Sequence, residues 1–314
     1  MSNNLKPNSV KYDSDSRVGH FYTGPNIPSA IPGLTFPQEP RPKMESIVAE
    51  LLDKAGVPNF IWGEPVLSVL GVPTSVFFTA FVIPDLHIEK AAQALTNAKF
   101  PLCTQGHDAC TVFWDGRAHP YPDYHWHTDL RYMKCAPAMA YGTFLYRKSR
   151  LFWSFPDPPI GAPPQNDPYY ILTSDKHIAE QDLPRGRASD KDYPVKMPLP
   201  ARYTESMMLL ELRDLDGQGR CDHWAIEINN LMELIKASPN LCINDLREPF
   251  REWARRYADD EYSRKTDDLM GQRFALELHV KMKKRDELPP PEPGNEWLAS
   301  LEDRMRKHGV KWSD

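Results

Sequence analysis

Several features are scarce or absent in this 314-residue chain, and each shortage argues against a class of function. No apolar stretch follows the polar N-terminus, Met1 to Ser9, so no secretory signal is expected there. The longest strongly apolar stretch, Val66 to Pro84, is interrupted by Ser68, Gly71, Pro73, Thr74, Ser75 and Thr79. It reads as a buried helix and strand, not as a membrane span. Basic charge is not in excess. Lys and Arg number 38 against 43 Asp and Glu, the net charge is −5 and the pI is near 6.1, so the charge points to neither a nucleic acid nor a membrane surface. Cysteine is sparse: Cys103, Cys110, Cys135, Cys221 and Cys242 are odd in number and scattered, as free thiols of a reducing compartment would be. The expectation is a soluble protein of the cytoplasm or nucleus. The residues name no particular cofactor, and they leave both a small molecule and a partner protein open as ligands.

Proline is plentiful, at 31 residues, and its clusters divide the chain. Residues 1–42 are rich in Pro, Ser and Asn without a period and read as an irregular arm. Met44 to Ala55 places Ile47, Leu51 and Leu52 on one face before Gly56, an amphipathic helix with a glycine stop. Asn59 to Gly63 reads as a short strand, Glu64 to Leu70 as a helix closed by Gly71, and Val76 to Ile83 as a buried strand. Ile88 to Ala98 is amphipathic, with Ile88, Ala91, Ala92 and Leu95 on one side. Further strands are expected at Cys110 to Trp114, Tyr124 to Leu130, Thr143 to Tyr146 and Leu151 to Ser154. Pro156 to Pro200 reads as an irregular surface excursion. Thr204 to Leu212, His223 to Lys236, Asn244 to Tyr257 and Ser263 to Lys284 read as helices, with Thr204 and Asn244 as suitable N-caps. A proline-rich linker and a helix from Glu296 to His308 complete the chain. The predicted organisation is an α/β region over 43–155, an irregular segment over 156–200, a helical region over 201–287 and a linker with helix over 288–314.

The order strand, Gly63, helix, Gly71-Val72-Pro73, strand, Pro84-Asp85, helix resembles nucleotidyltransferase-fold proteins across residues 44–155, about a third of the chain. The rest resembles fungal proteins built on that scaffold, through His125-Trp126-His127, Leu145 to Trp153 and Tyr193 to Glu205. The resemblance implies a mixed sheet with flanking helices and a helical C-terminal half. It also implies paired metal-binding Asp residues near Thr79 and Phe81 and a third carboxylate near Gly142 to Leu145, and these acids are absent. Mg²⁺ needs carboxylate oxygens, and a Thr/Phe pair cannot supply them. Glu64, following Gly63, would repel a triphosphate.

Independently of the resemblance, Tyr124-His125-Trp126-His127-Thr128-Asp129 is the densest group of potential ligands. On a strand, His125, His127 and Asp129 share one face and could act as acid/base groups or hold Zn²⁺ or Fe²⁺. His177, His223 and His279 are available as a distal ligand. The plainer alternative is an exposed polar face, with Tyr124, Trp126 and Thr128 turned inward. Cys103, His107 and Cys110 could form half of a zinc site completed by Cys135 or His125, although isolated core thiols suit the spacing better. Gly63, Arg147 and Lys148 are the candidate cofactor-binding residues; Arg150, Arg185, Arg187, Lys196 and Arg202 could extend that basic cluster into an anion site, or the cluster is a solvated face. Glu205, Glu211, Arg213 and Asp214 suggest either a buried base or surface pairs. The leading expectation is a diverged scaffold that binds a ligand or partner. The alternatives are an enzyme using His125, His127 and Asp129, and a transferase with displaced carboxylates drawn from Asp85, Asp115 or Asp123.

Overall fold

The computed structural model describes residues 43–74, 76, 78–103, 120–128, 142–180, 186–215, 222–259, 265–266, 268, 271–291, 306 and 309–311. The expected N-terminal arm, the strand at Cys110 to Trp114 and nearly all of the last helix lie outside the described residues. Within them the architecture is mixed α/β. Helix α1 (Lys43–Lys54) leads into β1 (Phe60–Ile61), α2 (Glu64–Leu70), β2 (Phe78–Ile83) and, after a 3₁₀ turn, α3 (Ile88–Asn97). Strands β3 (Tyr124–His127) and β4 (Gly142–Arg147) follow, then the short α4 (Lys148–Leu151). Leu151 to Ser154 therefore does not extend as a strand; the chain turns helical directly after β4.

The sheet order is β1-β2-β4-β3. β2 and β4 run parallel, whereas β1 and β3 are antiparallel to their neighbours. The register assigns each residue to a face. Ile61, Phe81, Leu145 and Tyr124 lie across the sheet on one side, where the Tyr124 hydroxyl meets Glu89 of α3 at 2.5 Å. Phe60, Val82 and Tyr146 lie on the other, as do Ala80, Phe144 and His125. That second face packs against the helical half: Trp62 sits 5.0 Å from Tyr146 and 6.1 Å from Trp224. Both faces being covered explains why β2 is apolar at every position but the buried Thr79 instead of alternating.

Pro156 to Pro200 is more ordered than its composition predicts. It contains β5 (Tyr170–Leu172) paired with β6 (Lys196–Pro198), and it buries Tyr170, Ile178, Val195 and Met197. Phe60 is the reason it stays down: its ring meets Phe152 at 5.0 Å, Tyr170 at 5.2 Å and Phe155 at 6.5 Å, an aromatic cluster that straddles the expected boundary. Buried Lys196 adds a second tie, reaching Asp53 of α1 at 3.1 Å.

Helix α5 (Pro200–Asp214) starts with Pro200 in its first turn, where a missing N–H costs nothing. Thr204 is inside the helix and bonds back to the Pro200 carbonyl at 2.9 Å, so it is not the cap. Ala201 through Asp214 are all buried, which makes α5 the central helix of this half. Its charges are consequently not surface pairs. Arg202 meets Glu205 at 2.8 Å, and Arg213 meets Asp214 at 2.7 Å. Helix α6 (Asp222–Ala237) packs on α5. Helix α7 (Phe250–Ala258) begins after Pro249; Asn244 falls instead in a separate 3₁₀ turn, Ile243–Asp245. Helix α8 (Gln272–Lys284) starts after Gly271. No helix among the described residues is long and apolar enough to cross a membrane.

Candidate functional site

Strand alternation turns His125 and His127 to the same face of β3, and their rings stand 5.4 Å apart. Asp129 lies outside the described residues. This face is not the open polar surface that the simplest sequence reading allows. His125 is 8% exposed, its ring meeting Phe144 edge-on at 6.0 Å. Phe144 in turn stacks on Phe78 at 4.8 Å. Gly142 makes that stack possible: a Cβ there would fall 2.3 Å from the Phe144 ring.

A third side chain joins them from outside the strand. Leu102 bridges Trp126 antiparallel, the Cys103 N–H donates to the His125 carbonyl at 3.1 Å, and the His127 N–H donates to the Pro101 carbonyl at 2.9 Å. Leu102 and Trp126 therefore share one face, and Cys103 shares the other with the histidines. The Cys103 thiol and the two imidazoles each present one ligand atom, all within 4.8 Å of one another. Cys103 and His127 are half-buried. His107, Cys110 and Cys135, the other proposed members of a zinc site, lie outside the described residues.

Gly63 sits at the same end of the sheet, where Trp62 N–H bonds to Ala80. Its φ of 72° and ψ of −145° belong to glycine alone. The Gly63 N–H is already engaged, donating to the Tyr203 hydroxyl at 3.1 Å, and that hydroxyl lies 2.9 Å from Glu227 Oε2. Burial, with a smaller push from Glu64, lifts the Glu227 carboxyl to about 8 although the Tyr203 hydroxyl bond pulls it down. Burial and the neighbouring Glu227 hold the Tyr203 phenol well above its ordinary value. His223 approaches Glu227 at 3.5 Å, and its ring lies 6.5 Å from Trp62. Residues 63, 203 and 227 are far apart in the chain, so sequence reading missed Tyr203 and Glu227; the glutamate's position on the buried side of α6, three residues after Trp224, was the only signal.

Arg147 and Lys148 lie at the opposite end of β4 from His127's partner Gly142, so the sheet does not bring them to Gly63. Each already faces carboxylates: Arg147 lies 3.4 Å from both Glu89 and Asp123, and Lys148 lies 3.0 Å from Asp157. Arg150 pairs with Asp123 at 2.8 Å, Arg187 with Glu180, and Arg202 with Glu205. Arg185 lies outside the described residues. Each of these described cations thus has a carboxylate within 4 Å. The distal histidines disperse as well: His177 is exposed beside Asp175, and His279 is buried against the Leu212 carbonyl at 2.7 Å. A cavity of about 770 Å³ opens elsewhere, between α5, α7 and α8, walled by Trp153, Leu209, Phe250, Phe274, Leu278 and Met282. Among known proteins, the chain matches no family model, no curated protein and no solved structure.

Proposed function

We propose that the chain is a diverged nucleotidyltransferase-like scaffold that works as a ligand-binding or interaction module, without metal-dependent nucleotidyl transfer. The order α1-β1-α2-β2-α3, with β2 parallel to β4 and antiparallel to β1, supports the scaffold part of this reading. The observation that carries the functional part is β2 itself. Phe78-Thr79-Ala80-Phe81-Val82-Ile83 offers no carboxylate to either face, and Thr79 and Phe81 are buried at 3% and 0% exposure. The Mg²⁺ that the resemblance implies does not fit this strand, because that ion is held by carboxylate oxygens. The described displaced acids are already engaged, which weighs against the alternative that draws on them. Asp85 accepts from the Ser149 N–H at 3.0 Å and hydroxyl at 2.5 Å, and Asp123 accepts from the Arg147 N–H and from Arg150; Asp115 lies outside the described residues. The Gly63 turn reinforces the point. Its N–H is taken by Tyr203, and Glu64 follows it directly in the chain.

Thermal unfolding with nucleoside triphosphates, with and without Mg²⁺ or Mn²⁺, tests the reading. A ligand at 100 times its Kd stabilises the folded chain by about 2.7 kcal/mol, a readily measured shift. The expected result is no Mg²⁺-dependent nucleotide shift. A shift that requires Mg²⁺ or Mn²⁺ would return nucleotidyl transfer as the leading function.

A further inference from the structure

We infer that Cys103, His125 and His127 bind a divalent ion of the zinc class. This rests on the described face of β3 and stands whether or not the scaffold is nucleotidyltransferase-like. One sulfur and two imidazole nitrogens form a borderline-soft donor set, suited to Zn²⁺ and its spectroscopic stand-in Co²⁺, and unsuited to the hard ions Mg²⁺ and Ca²⁺. The separations are close to what coordination needs. In a tetrahedral zinc site the ligand atoms stand about 3.3–3.6 Å apart, given bonds of about 2.0–2.3 Å. The three atoms here already lie within 4.8 Å of one another.

The backbone accounts for that convergence. Two histidines two residues apart on a strand share a face by geometry alone. The thiol is added by the Leu102–Trp126 bridge and its flanking hydrogen bonds, which set Cys103 directly across from His125. All three ligands hang from one ladder, so the closing motion falls on side-chain rotation. The Phe144 ring, held over Gly142 and stacked on Phe78, supports the His125 imidazole from the apolar side. Binding requires the thiolate, so the Cys103 proton leaves to solvent as the metal enters.

The test uses the full chain, stripped with a chelator and titrated with Co²⁺ and then with Zn²⁺. The expected result is one Co²⁺ per chain with a thiolate-to-cobalt charge-transfer band, displaced by Zn²⁺. Cys103→Ser, close to isosteric, should abolish the band. His127→Gln should weaken metal binding by more than the roughly 10–100-fold that loss of a mere outer-shell partner costs. Cys242→Ser, at an exposed thiol, should leave both unchanged and serves as the control for cysteine replacement. A Co²⁺ band that persists in the Cys103→Ser protein, or no uptake by a wild-type chain shown to be folded by circular dichroism, would overturn the assignment. Neither outcome depends on nucleotide binding, so failure here leaves the scaffold reading to its own test.

Discussion

Asp53 and Glu227 are both nearly sealed from water, at 7% and 2% exposure, yet they sit in regions of opposite character. Asp53 is surrounded by donors: Asn59 at 2.8 Å, Tyr193 at 2.9 Å, the Gly161 N–H at 3.1 Å and the Lys196 ammonium at 3.1 and 3.3 Å. Burial pulls the Lys196 ammonium down while Asp53 pushes it back up, and the Tyr193 phenol is lifted to about 12 by burial and by the same carboxylate. Glu227 has the Tyr203 hydroxyl, His223 at 3.5 Å and a second acid, Glu64, nearby. One region accommodates a buried charge and is built to hold elements together. The other raises the cost of that charge and keeps a proton on the carboxyl at neutral pH, a property more often found at functional sites than at purely structural ones.

The largest effect that separates the two regions is expected at Asp53. Asp53→Ala leaves the Lys196 ammonium buried without its partner and should cost about 3–5 kcal/mol in urea unfolding. A cost under about 1 kcal/mol would mean that the cluster is not the clasp described here. Tyr203→Phe should come next, at about 1–3 kcal/mol, because the Gly63 N–H loses its acceptor and Glu227 its hydroxyl partner. Since that hydroxyl holds the Glu227 carboxyl down, the variant should raise the carboxyl's titration further, readable by carboxyl NMR; no movement would disconnect Tyr203 from the acid. Tyr193→Phe removes one of several donors from Asp53 and should cost only about 0.5–1.5 kcal/mol.

Glu227→Gln should have the smallest effect at mildly acidic pH, under about 1 kcal/mol, because the neutral amide resembles the protonated acid. Its signature is in the pH dependence. The folded carboxyl titrates at about 8, above its ordinary value of 4.5, so the folded chain holds more proton than the unfolded one between those values. Stability from this group is therefore full below about 4.5 and is lost as pH rises through about 8, with a slope of at most about 1.4 kcal/mol per pH unit. Urea midpoints of wild type and Glu227→Gln measured across that window should differ in slope. Parallel profiles would place Glu227 in the same class as Asp53.

What was legible in the sequence follows from range. Local periodicity placed α1 and α3 to within about two residues and put His125 and His127 on one face, because helix and strand periods are properties of adjacent residues. The approach of Cys103 depends on a bridge to Trp126, and that of Tyr203 to Gly63 spans 140 positions, so neither leaves a local mark. The charges of α5 misled for a related reason. A helix buried on every side has no polar face, and Arg202, Glu205, Arg213 and Asp214 then look like surface residues until their partners are known. Proline content likewise hid the β5–β6 ladder, whose order comes from contacts with Phe60 and Asp53.

The Asp53 cluster also bears on synthesis. Its carboxylate is completed by Gly161, Tyr193 and Lys196, groups that the ribosome delivers more than 100 residues after α1. Until Lys196 emerges, the nascent α/β region holds a carboxylate whose cation does not yet exist. The packing around Asp53 is therefore completed only once β6 has brought the lysine, after all four strands of the larger sheet have been made. A cut near residue 155, where composition changes, would strand that acid permanently.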